Sequence, residues 1–127
     1  MIDHVGIPVT DLAASRELYA TALAPLGYKV LYENEEHGIV GFGAQRPQLW
    51  LSRSQRKMGV HVALVARNRA AVGSFYEQAL AAGATDNGPP GPREHYAPGY
   101  YAAYATARAP RPRGCCRRDR GLSLIHI

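Results

Sequence analysis

Apolar residues follow the same order of spacings twice along this chain. Residues 2–9 are mostly apolar and β-branched and predict a strand, which ends at Thr10 and Asp11, either of which can cap a helix. The apolar stripe of the helix that follows consists of Leu12, Tyr19, Ala22, Leu23 and Leu26. The helical pattern stops at Gly27. Three further strands are predicted at residues 28–33, 38–42 and 48–52.

The second copy begins about sixty residues after the first. Residues 60–66 predict a strand, and Asn68 predicts the cap of a second helix that ends near Gly83. The buried stripe of this helix consists of Val72, Phe75, Tyr76, Ala79 and Leu80. Residues 88–92 are rich in glycine and proline and predict an irregular loop, and residues 100–104 predict another strand. A last strand, which would complete the second copy, is missing.

The length of 127 residues indicates one domain, which we place at residues 1–106. There is no apolar run of the roughly 20 residues that a membrane span needs and no signal-peptide pattern, so we expect a cytoplasmic protein without membrane contact. The net charge of +5 comes wholly from residues beyond Thr106, because acidic and basic residues balance before it. We therefore expect no nucleic-acid partner, since that hypothesis depends only on the basic tail.

The tail at residues 107–127 is interpreted as non-native or disordered. It contains adjacent cysteines, Cys115 and Cys116, and clustered arginines, without an apolar period. With arginine codons that begin with C, a one-base shift of the reading frame makes residues 110–114 compatible with Arg-Asp-Pro-Glu-Gly, a turn that could lead into the missing strand. The final Leu-Ser-Leu-Ile-His-Ile resembles a translated sequencing adaptor. A genuine disordered basic tail is the alternative.

His4 and His61 occupy corresponding places in the two copies, each near the start of the first strand. A lone histidine on a strand is more often a hydrogen-bonded core residue than a ligand. Two at equivalent positions favour a shared metal site, because neutral imidazole binds divalent iron, manganese, nickel and zinc. The sequence therefore predicts His4 and His61 as two metal ligands.

Two segments of the chain resemble a known superfamily. Residues 3–12, with Ser15, Tyr19, Ala22 and Leu23, resemble the opening of a vicinal oxygen chelate protein, the superfamily of glyoxalases, bleomycin-resistance proteins and extradiol dioxygenases. Residues 61–63, with residues 69–72, Phe75 and Tyr76, resemble the start of its second module. The resemblance implies an α+β fold of two βαβββ modules that form a curved mixed sheet, or cup, here with the last strand missing.

The resemblance also implies a site and an activity. It implies a divalent metal ion held by His4, His61 and a glutamate on the last strand, and a glyoxalase-like lyase or a dioxygenase acting on a small oxygenated substrate. Residues 48–52 lack the extra acid of the lyases, and the missing strand removes the glutamate. The alternative is a metal-free protein of the bleomycin-resistance type that sequesters a ligand. Modules pair between chains in this superfamily, so we expect a homodimer of the intact protein.

Three further residues are candidates for contact with the substrate. His95, Tyr100 and Trp50 are predicted to line the cup. The simpler interpretations are a solvent-facing loop for the histidine and ordinary core packing for the two aromatic residues.

Overall fold

The structure, a computed structural model, describes residues 2–56 and 58–107. Its strands are β1 (Val5–Val9), β2 (Lys29–Asn34), β3 (Ile39–Gly43), β4 (Leu49–Arg53), β5 (Thr85–Pro92) and β6 (Tyr101–Thr106). Its helices are α1 (Leu12–Leu23) and α2 (Arg69–Ala81), and a short 3-10 helix follows α1 at Ala24–Leu26. The predictions for residues 108–127 lie outside the described residues.

Both helices begin at the caps that the sequence predicts. Asp11, rather than Thr10, caps α1 by accepting a hydrogen bond from the Ala14 amide at 2.9 Å. Asn68 caps α2 by accepting one from the Ala71 amide at 2.8 Å. After α1, Gly27 adopts a left-handed conformation with φ of 83°, which ends the helical path.

The first module is a complete βαβββ unit, as predicted. Its four strands form one sheet in the order β1-β4-β3-β2. Strand β1 runs parallel to β4, and the other two pairs are antiparallel. The helix α1 follows β1 in the chain and packs on this sheet. The connection from β1 to its parallel partner β4 runs through α1, β2 and β3.

The second module differs from the prediction at residues 88–92, which belong to β5 and not to an irregular loop. Strand β5 pairs antiparallel with β6, with register shifts around Gly88. Prolines cannot donate to a strand ladder and are therefore confined to edges and irregular positions. Among the described strands β5 pairs only with β6, which leaves one edge that tolerates Pro89, Pro90 and Pro92.

The prediction of a strand at residues 60–66 was wrong for the described structure. These residues belong to neither sheet, and Val65 forms only an isolated bridge. In the first module β1 gains its sheet partner from β4, the last strand of that module. The described part of the second module ends one strand earlier, after β6, so residues 60–66 have no equivalent of β4 beside them.

One apolar core joins the two modules. Its largest fully buried side chains belong to Phe42, Phe75, Leu23, Leu51, Val40 and Val72. They come from both helices and from β3 and β4, so the fold is of the α+β class, as predicted. In the part of the chain that the structure describes, neither helix has the length and apolar character needed to cross a membrane.

Candidate functional site

The face of β1 that points away from the core is open around His4. Along β1 the side chains of Val5, Ile7 and Val9 pack into the core, whereas Gly6 between them is exposed. His4 directly precedes this strand. His4 is exposed, as a side chain that binds a ligand must be.

His61 repeats this pattern in the second module, although its segment lies outside the sheets. Val62 and Ala66 are buried in the core, whereas His61, Ala63 and Val65, which alternate with them, are exposed. The segment thus keeps the alternation of a strand without the pairing of one. His4 and His61 are therefore both exposed, and their role as ligands of one metal ion stays a prediction.

The ring of His4 contacts Asp3, which is itself paired with Arg46, just before the start of β1. Its Nδ1 lies 3.0 Å from Oδ2 of Asp3. The other oxygen of Asp3 accepts a hydrogen bond from the guanidinium of Arg46, which lies in the turn between β3 and β4. The hydrogen bonds from His4 and then from Arg46 lower the pKa of the Asp3 carboxyl below its usual range. Asp3 is therefore an ionised acceptor at neutral pH.

The donor set fits a divalent metal in type but is incomplete. Two neutral imidazoles are suitable ligands for iron, manganese, nickel or zinc, and such sites ordinarily add a carboxylate. Among residues 2–56 and 58–107, no group of three or more His, Cys, Asp or Glu side chains could hold an ion. The described chain therefore provides two donors of the predicted site and no third.

Trp50 stands on the same face of the first sheet as Gly6. In the sheet register Trp50 lies opposite Gly6 on β1 and opposite Gly41 on β3. Its ring packs with the ring of Tyr32, at 5.5 Å between centroids. Trp50 and Tyr32 thus form an aromatic surface on the face of the sheet to which Gly6 belongs, as an aromatic substrate wall would require.

A second aromatic group surrounds the predicted substrate residues His95 and Tyr100. Tyr96 joins them, because its ring centroid lies 4.3 Å from that of His95 and 5.4 Å from that of Tyr100. Tyr104 on β6 lies next to this group. Burial, followed by the nearby phenols of Tyr96 and Tyr100, raises the pKa of the Tyr104 hydroxyl above its usual value of 10.0.

Arg93 fixes the loop that carries these rings. Its guanidinium donates hydrogen bonds to the carbonyl oxygens of Pro89 at 2.7 Å and Pro92 at 3.0 Å, and it lies 5.5 Å from the centroid of the Tyr104 ring. The Arg93 amide also donates to the carbonyl oxygen of Tyr100 at 2.6 Å. The loop is therefore held at both ends, while Tyr96 remains 63% exposed.

The structure brings together some of the predicted site residues and not others. His95 and Tyr100 share one aromatic group, whereas Trp50 packs with Tyr32 in the other sheet. Sequence reasoning missed Tyr32, Arg93 and Tyr104 as site residues, whereas Tyr96 adjoins the predicted His95 in the chain.

Comparison with known proteins gives a result for structure alone. No protein-family model matches the chain, and no curated protein matches it. Among solved structures, a glyoxalase/bleomycin resistance protein from Albidiferax ferrireducens is similar, with a TM-score of 0.72 and 19% identity over 97% of this chain and 94% of that one. A glyoxalase-related enzyme from Fulvimarina pelagi has a TM-score of 0.68 and 16% identity over 99% of this chain and 86% of that one.

A third similar structure is a glyoxalase/bleomycin resistance protein/dioxygenase family enzyme from Burkholderia phytofirmans. It has a TM-score of 0.63 and 15% identity, and the match covers 98% of this chain and 96% of that one. At these identities the likeness concerns the path of the backbone and not the chemistry of the site. The chain therefore has the fold of the vicinal oxygen chelate superfamily of glyoxalases, bleomycin-resistance proteins and dioxygenases, which the resemblance in its sequence implied.

Proposed function

We propose that the intact protein is a metal-dependent enzyme, a lyase or dioxygenase, that acts on a small oxygenated molecule in the cup. The observation that supports this most is the equivalence of His4 and His61. Both precede or begin the first extended segment of their module, and both are exposed. Chance would place two exposed histidines in equivalent positions only rarely, so a shared ligand role is favoured.

A divalent ion would supply Lewis acidity toward neighbouring oxygens of the substrate. His4 and His61 would be two of its ligands, and a carboxylate from a strand after β6 would be the third. Trp50 and Tyr32 would contact an apolar face of the substrate, and His95 with Tyr100 would contact its polar groups. Each of these roles needs a side chain that is accessible from the cup.

The second candidate function is sequestration of a planar ligand without metal. The two aromatic groups favour it, because aromatic rings can pack against planar molecules without any ion. The incomplete donor set of the described residues is equally compatible with this function. In that case His4 and His61 would be polar residues of the cup and not ligands.

The test uses a strand-restored variant, in which a turn and a strand with one inward glutamate replace all residues after Thr106. Metal content is measured on the variant as purified, together with His4→Ala, His61→Ala and His37→Ala. His37 is the control because it is exposed and its ring bonds to Asn34 in the β2–β3 turn. About one ion per chain, lost with His4 or His61 and kept with His37→Ala, supports the enzyme; a metal-free variant that retains an organic ligand supports sequestration.

A further inference from the structure

The pairing of β1 with β4 brings the segments that carry Asp3 and Arg46 side by side. The amide of Val5 donates to the carbonyl oxygen of Gln48 at 2.8 Å, and Val5 lies opposite Leu49 in the parallel pair of β1 and β4. Asp3 lies two residues before Val5, and Arg46 lies two residues before Gln48. The hydrogen bond between their side chains thus joins the two segments that lead into the first and last strands of the module.

The contact between Asp3 and His4 fixes which ring nitrogen carries the proton. A carboxylate has only acceptor atoms, so a ring nitrogen at 3.0 Å from it must be protonated. A neutral imidazole has one protonated nitrogen and one free lone pair. With the proton on Nδ1, the lone pair is on Nε2, the atom that is directed away from Asp3. The ring of His4 is 60% exposed, so this atom is within reach of a ligand.

His61 has no such arrangement. Within residues 2–56 and 58–107, no carboxylate makes a hydrogen bond with its ring. Without an acceptor on one side, a neutral ring exchanges between its two tautomers. The two histidines are thus equivalent in position, but they differ in whether a described carboxylate fixes the tautomer of the ring.

We propose that Asp3, held by Arg46, is a positioning residue that keeps the proton of neutral His4 on Nδ1 and presents Nε2 as the atom that binds a cation. The identity of that cation rests on the proposed function; the tautomer does not. Carboxylate partners of this kind orient histidine ligands and increase their basicity. Among residues 2–56 and 58–107 this arrangement exists at His4 and not at His61, so His4 is the ligand with a fixed orientation and His61 is the adaptable one.

The test is the ring tautomer, measured by two-bond proton–nitrogen correlation NMR on the full chain labelled with nitrogen-15. The measurement is made at about pH 8.5, where free imidazole is neutral. The chain has five histidines, and His4→Gln assigns the signal of His4. Asp3→Ala removes the acceptor, Asp3→Asn keeps a neutral acceptor of the same shape, and Arg46→Gln releases Asp3. The control is Glu36→Ala, which removes an exposed acid from the β2–β3 turn.

The Nδ1-protonated form should predominate at His4 in the wild-type chain. Its ratio to the other tautomer should fall about fivefold in Asp3→Ala, less in Asp3→Asn and Arg46→Gln, and not in Glu36→Ala. The ratio at His61 should not change in any variant. A wild-type His4 ring with its proton mainly on Nε2, or a ratio that Asp3→Ala leaves unchanged, overturns the proposal.

These outcomes are independent of metal binding. If the strand-restored variant binds no metal while the His4 tautomer follows Asp3, the proposed enzyme is wrong and the positioning of His4 stands. If metal binds through His4 while its tautomer ignores Asp3, the positioning is wrong and the enzyme stands. An unchanged ratio in Arg46→Gln alone removes Arg46 from the proposal.

Discussion

The ring of Trp50 lies on the backbone of Gly41 in the neighbouring strand. A β-carbon at Gly41 would come within 2.9 Å of Cζ3 of this ring, which is closer than real side chains approach. On the other side of Trp50, a β-carbon at Gly6 would meet nothing within 4 Å. The indole therefore leans toward β3 and Tyr32 and leaves the surface of β1 near His4 uncovered.

Two glycine substitutions around Trp50 should consequently have different effects. Gly41→Ala forces the ring to move and should lower the free energy of unfolding by about 1–3 kcal/mol. Gly6→Ala meets no neighbour and should leave it within about 0.5 kcal/mol of the wild type. Urea unfolding followed by fluorescence measures both, because Trp50 is the single tryptophan. Equal losses in the two variants would contradict the packing of Trp50 on Gly41.

Stability at high pH should depend on Tyr19. This residue is 3% exposed, and burial strongly raises the pKa of its hydroxyl. A group whose pKa is raised on folding contributes stability that is complete below the unfolded pKa, near 10, and is lost as the pH rises toward the folded pKa. Between about pH 9 and pH 11 the wild type should lose about 1.4 kcal/mol through this one phenol.

Tyr19→Phe removes the titrating group and should show a correspondingly smaller loss over the same pH interval. Urea unfolding of both proteins at the two pH values gives the comparison, and their difference at about pH 7 corrects for packing. The same pH dependence in Tyr19→Phe and the wild type would show that the buried phenol is not the cause.

Residues 60–66 should become a protected strand when the second module receives its last strand. In the first module, β4 provides the parallel partner of β1, and the strand-restored variant provides the corresponding partner here. Hydrogen exchange should therefore slow about tenfold or more at Val62 and Leu64 in this variant, while the β2–β3 amides serve as the unchanged control. Strong protection of residues 60–66 in the chain without the restored strand would contradict the view that these residues lie outside the sheets because they have no partner strand.

The oligomeric state should change with the same variant. The superfamily resemblance implies pairing of modules between chains, and closed two-fold pairing is the commonest assembly of soluble proteins. We expect a homodimer of the strand-restored variant by size-exclusion chromatography with light scattering. A monomer at high micromolar concentration would contradict this expectation.

The parts of the fold that depend on local pattern could be predicted from the sequence. The stripe of α1, a cap at Thr10 or Asp11 and the strands β1 to β4 all follow from spacing within one segment. β5 could not be predicted, because its three prolines are acceptable only where one edge of the strand is unpaired, which is a property of the assembled sheet. Residues 60–66 have the composition of a strand, but pairing requires a partner from elsewhere in the chain.

Some residues of the candidate site could likewise be predicted from the sequence and others could not. The repeat locates His4 and His61, because equivalence between modules is visible in the sequence. The roles of Asp3 and Arg46 are not visible there, since 43 positions separate them and only the pairing of β1 with β4 brings them together. Arg93 was missed for a related reason: its guanidinium bonds to backbone carbonyl groups, which carry no signal in the sequence.

The most direct test of the central claim is isothermal titration of the strand-restored variant with nickel, zinc, manganese and iron(II). We predict one ion per chain in this variant. Its affinity should be lowered about 100-fold or more in His4→Ala and in His61→Ala and unchanged in His37→Ala. The chain with its own residues after Thr106 should bind these ions weakly. Binding that survives both histidine substitutions, or that is as tight in the written chain as in the variant, would contradict the assignment of His4 and His61 as ligands of one metal site.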